Sequence, residues 1–178
     1  MASPLIIVTG APGAGKGTQS ELLASSTGWA HISTGELVRS SDDPALLEIA
    51  DRGELIDSAS MQRLLIQALK QANAEQTVIL DGFPRLLDEQ QWLDNSLPDL
   101  NRQITKVIFV SVDEAESHKR LAKRGRTDDT VEALEERWDE FHRDTLPVIE
   151  EYRRRGLVHE VDGLGTPEAV SDRIEELL

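Results

Sequence analysis

The segment Leu5-Ile6-Ile7-Val8-Thr9-Gly10-Ala11-Pro12-Gly13-Ala14-Gly15-Lys16-Gly17-Thr18 constrains the fold of this chain more than any other. Its first five residues are apolar and largely β-branched, the pattern of a strand buried on both faces of a parallel sheet. The glycines at 10, 13, 15 and 17 stand where a backbone must turn tightly and aim its N–H groups at an anion. Gln19 to Ala24 then reads as a helix, whose N-terminus brings a positive dipole end to the same place. A glycine turn alone would be a weak signal. Strand, loop, lysine and helix in this order describe a phosphate cradle made by Gly13, Ala14, Gly15, Lys16, Gly17 and Thr18, with Lys16 as its mobile charge. Gly17 takes the slot directly after the lysine, so the threonine hydroxyl comes one residue later than in the general pattern.

The chain has 178 residues and a formal net charge of −14. Its length suits one domain with one core. So acidic a balance disfavours nucleic acid or an anionic membrane as a bulk partner. A nucleotide is also a polyanion, and an acidic protein that binds one must gather its cations locally. The run Lys119-Arg120-Leu121-Ala122-Lys123-Arg124-Gly125-Arg126 does so. Read without the loop at residues 10–18, it would be a solvated helix end. The sequence holds no cysteine, which excludes disulfides and thiolate metal sites, zinc among them. No apolar run approaches the ~20 residues of a membrane span, so the cytoplasm is the expected compartment. The four histidines lack metal-ligand spacing and read as structural or surface residues.

Further strands are expected at 29–33, 77–80, 104–110 and 159–161, and Gly28 marks the end of the first helix. Residues 34 to about 57 form a small helical excursion, with a break at Pro44, a stop at Gly53 and Asp57 capping the next helix. In that helix Leu64, Leu65, Ala68 and Leu69 make an apolar face. Asp129 and Glu132 have capping-box spacing, and Val131, Leu134, Trp138 and Phe141 mark the core face of a long helix flanked by Arg137. Pro167 opens a closing helix. Alternation of strands and helices gives an α/β fold, a five-stranded parallel sheet sandwiched by helices. Ligands bind beyond the carboxyl ends of such strands, which aims Asp81 at the cradle, where it can hold Mg²⁺ through water.

Phosphoryl transfer asks a protein mainly for positioning and positive charge. The arginines fall into two sets, Arg39 and Arg85 early, then Arg120, Arg124, Arg126 and Arg137 late, which suggests two phosphate-bearing ligands. With the loop at 10–18, the motifs Ser33-Thr34-Gly35-Glu36-Leu37-Val38-Arg39, Asp81-Gly82-Phe83-Pro84-Arg85 and residues 120–129 resemble the adenylate kinase family of nucleoside monophosphate kinases, of short-lid type. The resemblance covers nearly the whole chain. It implies a P-loop NTPase-type core, residues 1–178 as a single domain, a monophosphate-binding insertion at about 34–57 and a minimal lid at about 120–130. It implies Mg-ATP as donor and AMP as acceptor, with UMP or CMP as the alternative acceptor, and a monomer. By motif position Lys16 holds donor phosphates and Arg39 and Arg85 clamp the acceptor phosphate. Arg120 covers the donor base, Arg124 reaches its phosphates, and Arg126 and Arg137 close around the transferring group. Thr34 and the backbone near Ile56 line the acceptor base, beside Gly82, and Gly165 lies near the donor base.

Three departures stand out. Thirteen residues separate Arg39 from Gly53, and Gly125 alone separates Arg124 from Arg126, so both mobile parts are trimmed. The position of the family's adenine-reading glutamine, four residues after Arg85, holds Glu89. Gln90 is the nearest amide, turned about 100° around a helix axis. These departures motivate a rival reading, a nucleotide-binding module with little turnover. A P-loop kinase of a small hydroxyl metabolite would leave Arg39 and Arg85 without a role.

Overall fold

Buried strands divide their side chains between two faces, and the first strand shows it. In β1 (Ser3–Gly10), Leu5 and Ile7 enter one core while Ile6 and Val8 enter another. The computed structural model describes residues 2–51, 56–124 and 131–178. Gly53, Gly125, Arg126 and the expected Asp129 cap lie outside the described residues, as do the side chains of Arg124 and Val131.

Helix α1 (Lys16–Thr27) leads from β1 to β2 (Ala30–Ser33), and α2 (Thr34–Arg39), α3 (Pro44–Asp51) and α4 (Ser58–Gln71) lead on to β3 (Val78–Asp81). Helix α5 (Leu87–Ser96) precedes β4 (Arg102–Ser111). Then come α6 (Glu114–Arg124), α7 (Val131–Glu140), α8 (Leu146–Arg154), β5 (Val158–Asp162) and α9 (Pro167–Glu175). The strands form one parallel sheet in the order β2-β3-β1-β4-β5. Leu65 and Leu69 of α4, Leu93 of α5 and Val148 and Tyr152 of α8 cover one face. Leu23 of α1 and Val170 and Ile174 of α9 cover the other.

Local chemistry sets the helix ends where the sequence places them. Gly28 ends α1 in a left-handed conformation, and the Asp57 carboxylate accepts from the Ser60 N–H at 2.9 Å. Thr166 caps α9 in the same way, with Pro167 in its first turn. The second strand is shorter than expected, since Trp29 lies outside it. The long helix expected through Phe141 is interrupted: α7 ends at Glu140 and Phe141–Thr145 form a π-helical turn before α8. Pro147 explains this. It has no N–H for the carbonyl four residues back, and its ring crowds that carbonyl. The wider turn, in which Leu146 N donates to Phe141 O, relieves the conflict.

Tyr152 is 1 % exposed, and among the described residues its hydroxyl has no hydrogen-bond partner. Burial pushes its pKa far up, which leaves it neutral and its O–H unmet. Tyr152→Phe is therefore expected to stabilise the fold by about 1 kcal/mol, raising the thermal midpoint by ~2–4 °C. Thermal unfolding of the two proteins checks it, and a loss of stability would show that the hydroxyl is satisfied in solution.

Candidate active site

From β1 the chain leaves toward β2, and from β3 it crosses to the other side of β1 to reach β4, so adjacent strands send their connections in opposite directions. A crevice opens at the carboxyl ends of such a pair. Val8 and Ser33 both register with Asp81, which brings the ends of β1, β2 and β3 to one level. The phosphate loop and the Asp81-Gly82-Phe83-Pro84-Arg85 segment flank this crevice.

The loop is clasped from behind by α6. The Ser117 hydroxyl donates to Pro12 O at 2.5 Å, and a Cβ on Gly13, whose φ is 75°, would stand 2.8 Å from Ser117 O and 3.0 Å from the Leu121 side chain. Only glycine allows that approach. The Lys16 ammonium lies across the loop and donates to Gly10 O and Ala11 O, each at 2.9 Å. Ala14 is buried, Gly15 caps α1 in a left-handed conformation, and Thr18 is exposed in the first turn.

Asp81 faces this loop. Its Oδ2 lies 3.6 Å from where a Cβ on Gly17 would sit, and the side chain is 8 % exposed. Burial pushes its carboxyl above the usual aspartate range, against the pull of Lys16, His31 and Arg85. Among the described residues no group of three or more His, Cys, Asp or Glu gathers to hold a metal. A lone carboxylate beside a phosphate loop suits Mg²⁺, which keeps several waters and takes other oxygens from phosphate. The donor set here fits that ion.

On the β3 side, the Thr34 hydroxyl donates to Asp81 O at 3.2 Å and fills the space above Gly82, where a Cβ would meet its Oγ1 at 2.6 Å. Arg85 is exposed, and its Nε donates to Gly82 O at 2.9 Å. Arg39, also exposed, folds back over Gly35. Ile56 is half-buried just before α4. On the β4 side, Arg120 spans the loops: its NH1 donates to Ala14 O at 3.4 Å and its NH2 to Gly163 O at 2.9 Å, while Glu116 accepts from its Nε at 2.8 Å. Gly165 is exposed two residues beyond Gly163. Arg137 sits half-buried on α7, which contacts α6 through Trp138 and His118.

The structure therefore sets Lys16 on one flank of the crevice and Asp81, Gly82 and Arg85 on the other, with Thr34 above Gly82, and joins Arg120 to the phosphate loop through Ala14 O. Gln90 is buried on α5, and its amide donates to Asp94, which Arg155 of the segment after α8 clamps with NH1 at 2.6 Å. Glu89 is buried at the start of α5, where its Oε2 accepts from Arg85 N at 2.8 Å and Leu86 N at 3.3 Å. Ser117, Glu116 and His31 belong to the site's surroundings and were not singled out in the sequence. Of these, only Glu116 carried a local signal, its position four residues before Arg120. A groove of about 720 Å³ along α4, lined by Arg63, Ile66, Lys70 and Trp92 among others, shares no residue with the crevice.

Residues 8–157 match the family model described as adenylate kinase. A protein named adenylate kinase from Synechococcus sp. (strain CC9311) is 40% identical over 179 residues, covering 97% of each chain. Proteins of the same name from Micrococcus luteus and Thermus thermophilus are each 36% identical. They cover 95% and 97% of this chain and 87% and 96% of their own.

Burial raises the Glu89 pKa above the usual glutamate value, although two backbone N–H groups favour its charged form. The native state thus holds this proton more tightly than the unfolded chain, and stability falls as pH rises from the usual value through the raised one. Glu89→Gln keeps an acceptor for both N–H groups and removes the charge. The variant is expected to match the parent at the acid end of that window and to unfold at a higher temperature than the parent at neutral pH. Melting curves across that range check this, and a variant less stable at neutral pH would show that the carboxylate charge strengthens the cap.

Proposed function

This chain belongs to the adenylate kinase family, and we propose on that premise how its own residues move the γ-phosphate of ATP to AMP to give two ADP. The observation that carries the reading is the convergence of Lys16 and Arg85 on Asp81, from loops at the ends of adjacent strands. UMP and CMP, the other acceptors weighed from the sequence, are not favoured by relatives named for adenylate.

The loop amides and the N-terminus of α1 would seat the donor phosphates. A phosphate entering the loop competes with Gly10 O and Ala11 O for the Lys16 ammonium, which is then placed to follow charge as it moves between the nucleotides. Arg85 and Arg39 would hold the acceptor phosphate, and its anionic oxygen needs no general base. Arg120 would lie over the donor base, Arg124 would reach the donor phosphates, and Arg126 and Arg137 would close on the transferred group. Mg²⁺, held through water by Asp81, would neutralise charge on the donor oxygens. Thr34, Gly82 and the backbone at Ile56 would line the acceptor base, with Gln90 beside them and one of its amide hydrogens tied to Asp94. Gly165 would border the donor base. Closure of an insertion at about 34–57 and a short lid at about 120–130 would exclude water, the competing acceptor. We read the enzyme as a single chain acting in the cytoplasm, where both nucleotides are found. Among the described residues no helix is long and apolar enough to cross a membrane.

Mg-ATP offered with AMP, UMP, CMP, dAMP and GMP in parallel, with the diphosphates separated by chromatography, tests the reading. ADP from AMP is the expected main product. A pyrimidine preference would reassign the acceptor, and tight ATP binding without transfer would favour a binding module. Lys16→Ala and Arg85→Ala should each lower kcat by at least roughly 10²-fold with the thermal midpoint retained. Near-normal turnover in either purified variant would remove that residue from the mechanism.

A further inference from the structure

We propose that Arg173 is a positioning residue for the donor nucleotide, acting through the loop between β5 and α9. The inference rests on the reading that Arg120 and Gly165 border the donor. Arg173 lies in the last turn of α9, and its NH1 donates to Asp162 O and Leu164 O, both at 2.7 Å. One guanidinium nitrogen thus bridges two carbonyls on either side of Gly163. The loop is held at other points as well. Gly163 N donates to Ser111 O at 2.8 Å, and Leu164 N donates to the Asp162 carboxylate at 2.9 Å.

What this loop presents is the Gly163 carbonyl, which accepts from Arg120 NH2 at 2.9 Å while Arg120 NH1 reaches Ala14 O in the phosphate loop. The guanidinium of Arg173 also borders Gly165: a Cβ there, at a φ of 114°, would stand 3.7 Å from Arg173 NH2. A continuous path therefore runs from Arg173 through the Gly163 carbonyl to Arg120 and the cradle. Asp162 and Leu164 are exposed, so water could satisfy their carbonyls equally well. The arginine fork adds little to satisfaction of the backbone, and its effect is on loop geometry. The two NH1 hydrogens are fixed in direction by the guanidinium plane and so fix the two carbonyls relative to each other, whereas a lysine ammonium rotates freely about its stem.

Arg173→Met and Arg173→Lys are compared with the parent enzyme by measuring kcat and the KM for ATP and AMP separately, beside thermal unfolding. Arg173→Met is expected to raise the KM for ATP roughly five- to tenfold, with the KM for AMP within twofold of the parent. Arg173→Lys is expected to fall between the two. An unchanged KM for ATP overturns the proposal. An equal rise in both KM values overturns it too, because that pattern marks a general structural role. Failure of the underlying reading would look different, since the parent enzyme would then form no ADP from ATP and AMP.

Discussion

Around the crevice of this acidic chain, cations donate to backbone carbonyl oxygens. Lys16 donates to Gly10 and Ala11, Arg85 to Gly82, Arg120 to Ala14 and Gly163, and Arg173 to Asp162 and Leu164. A carbonyl fixes a cation in place and cancels none of its charge. With a formal net charge of −14, the protein repels polyanions at long range, and the cations gathered at the crevice make it locally attractive to them. Arg120 adds a carboxylate partner to its carbonyl contacts, Glu116, which orients the guanidinium along α6. Burial works in the same direction at Asp81, where loss of water raises the cost of the carboxylate and sharpens its response to any cation beside it.

The backbone geometry that supports these contacts comes from close approach. Gly13 lies against α6 and Gly82 lies under the Thr34 hydroxyl, both nearer than a Cβ permits. The two flanking loops are thereby pinned to different neighbours, the phosphate loop to the β4 side of the sheet and the Gly82 loop to the β2 side. Each is held against its own half of the sheet, and β1 and β3, as hydrogen-bonded neighbours, set the spacing between the strand ends from which the loops depart.

Much of this was legible in the residues. Buried strands are short β-branched runs, and Gly28, Asp57 and Pro167 act on backbone within a few residues, so their positions announced the helix ends. The strand order was not legible, because parallel pairing joins segments far apart in sequence and similar apolar runs fit several neighbours. Helices α5 and α6 have polar exposed faces and few apolar positions, and the residues announced no bounds for either. Glu89 was legible as a departure, but its work as a backbone acceptor for Arg85 and Leu86 needed the turn geometry. Arg173 gave no signal at all: its partners are carbonyls, which every residue carries. The proposed roles of Arg124 and Arg126 rest on their motif positions.

The π-helical turn at Phe141–Thr145 shifts the phase of everything after it. One added residue turns later side chains by ~100° relative to an unbroken helix, so the stripes on α7 and α8 look in different directions. Trp138 faces His118 on α6, whereas Ile149 and Tyr152 enter the cores beneath the sheet, and Phe141 at the joint stacks on Phe109 at 6.4 Å. The segment works as a vernier between the arginine-bearing helices and the sheet. Loss of a single residue there would change composition by one residue in 178, yet it would rotate Arg137 against a core that holds Tyr152 fixed. Chain length in these five residues thus sets where Arg137 stands as much as the identity of any side chain does.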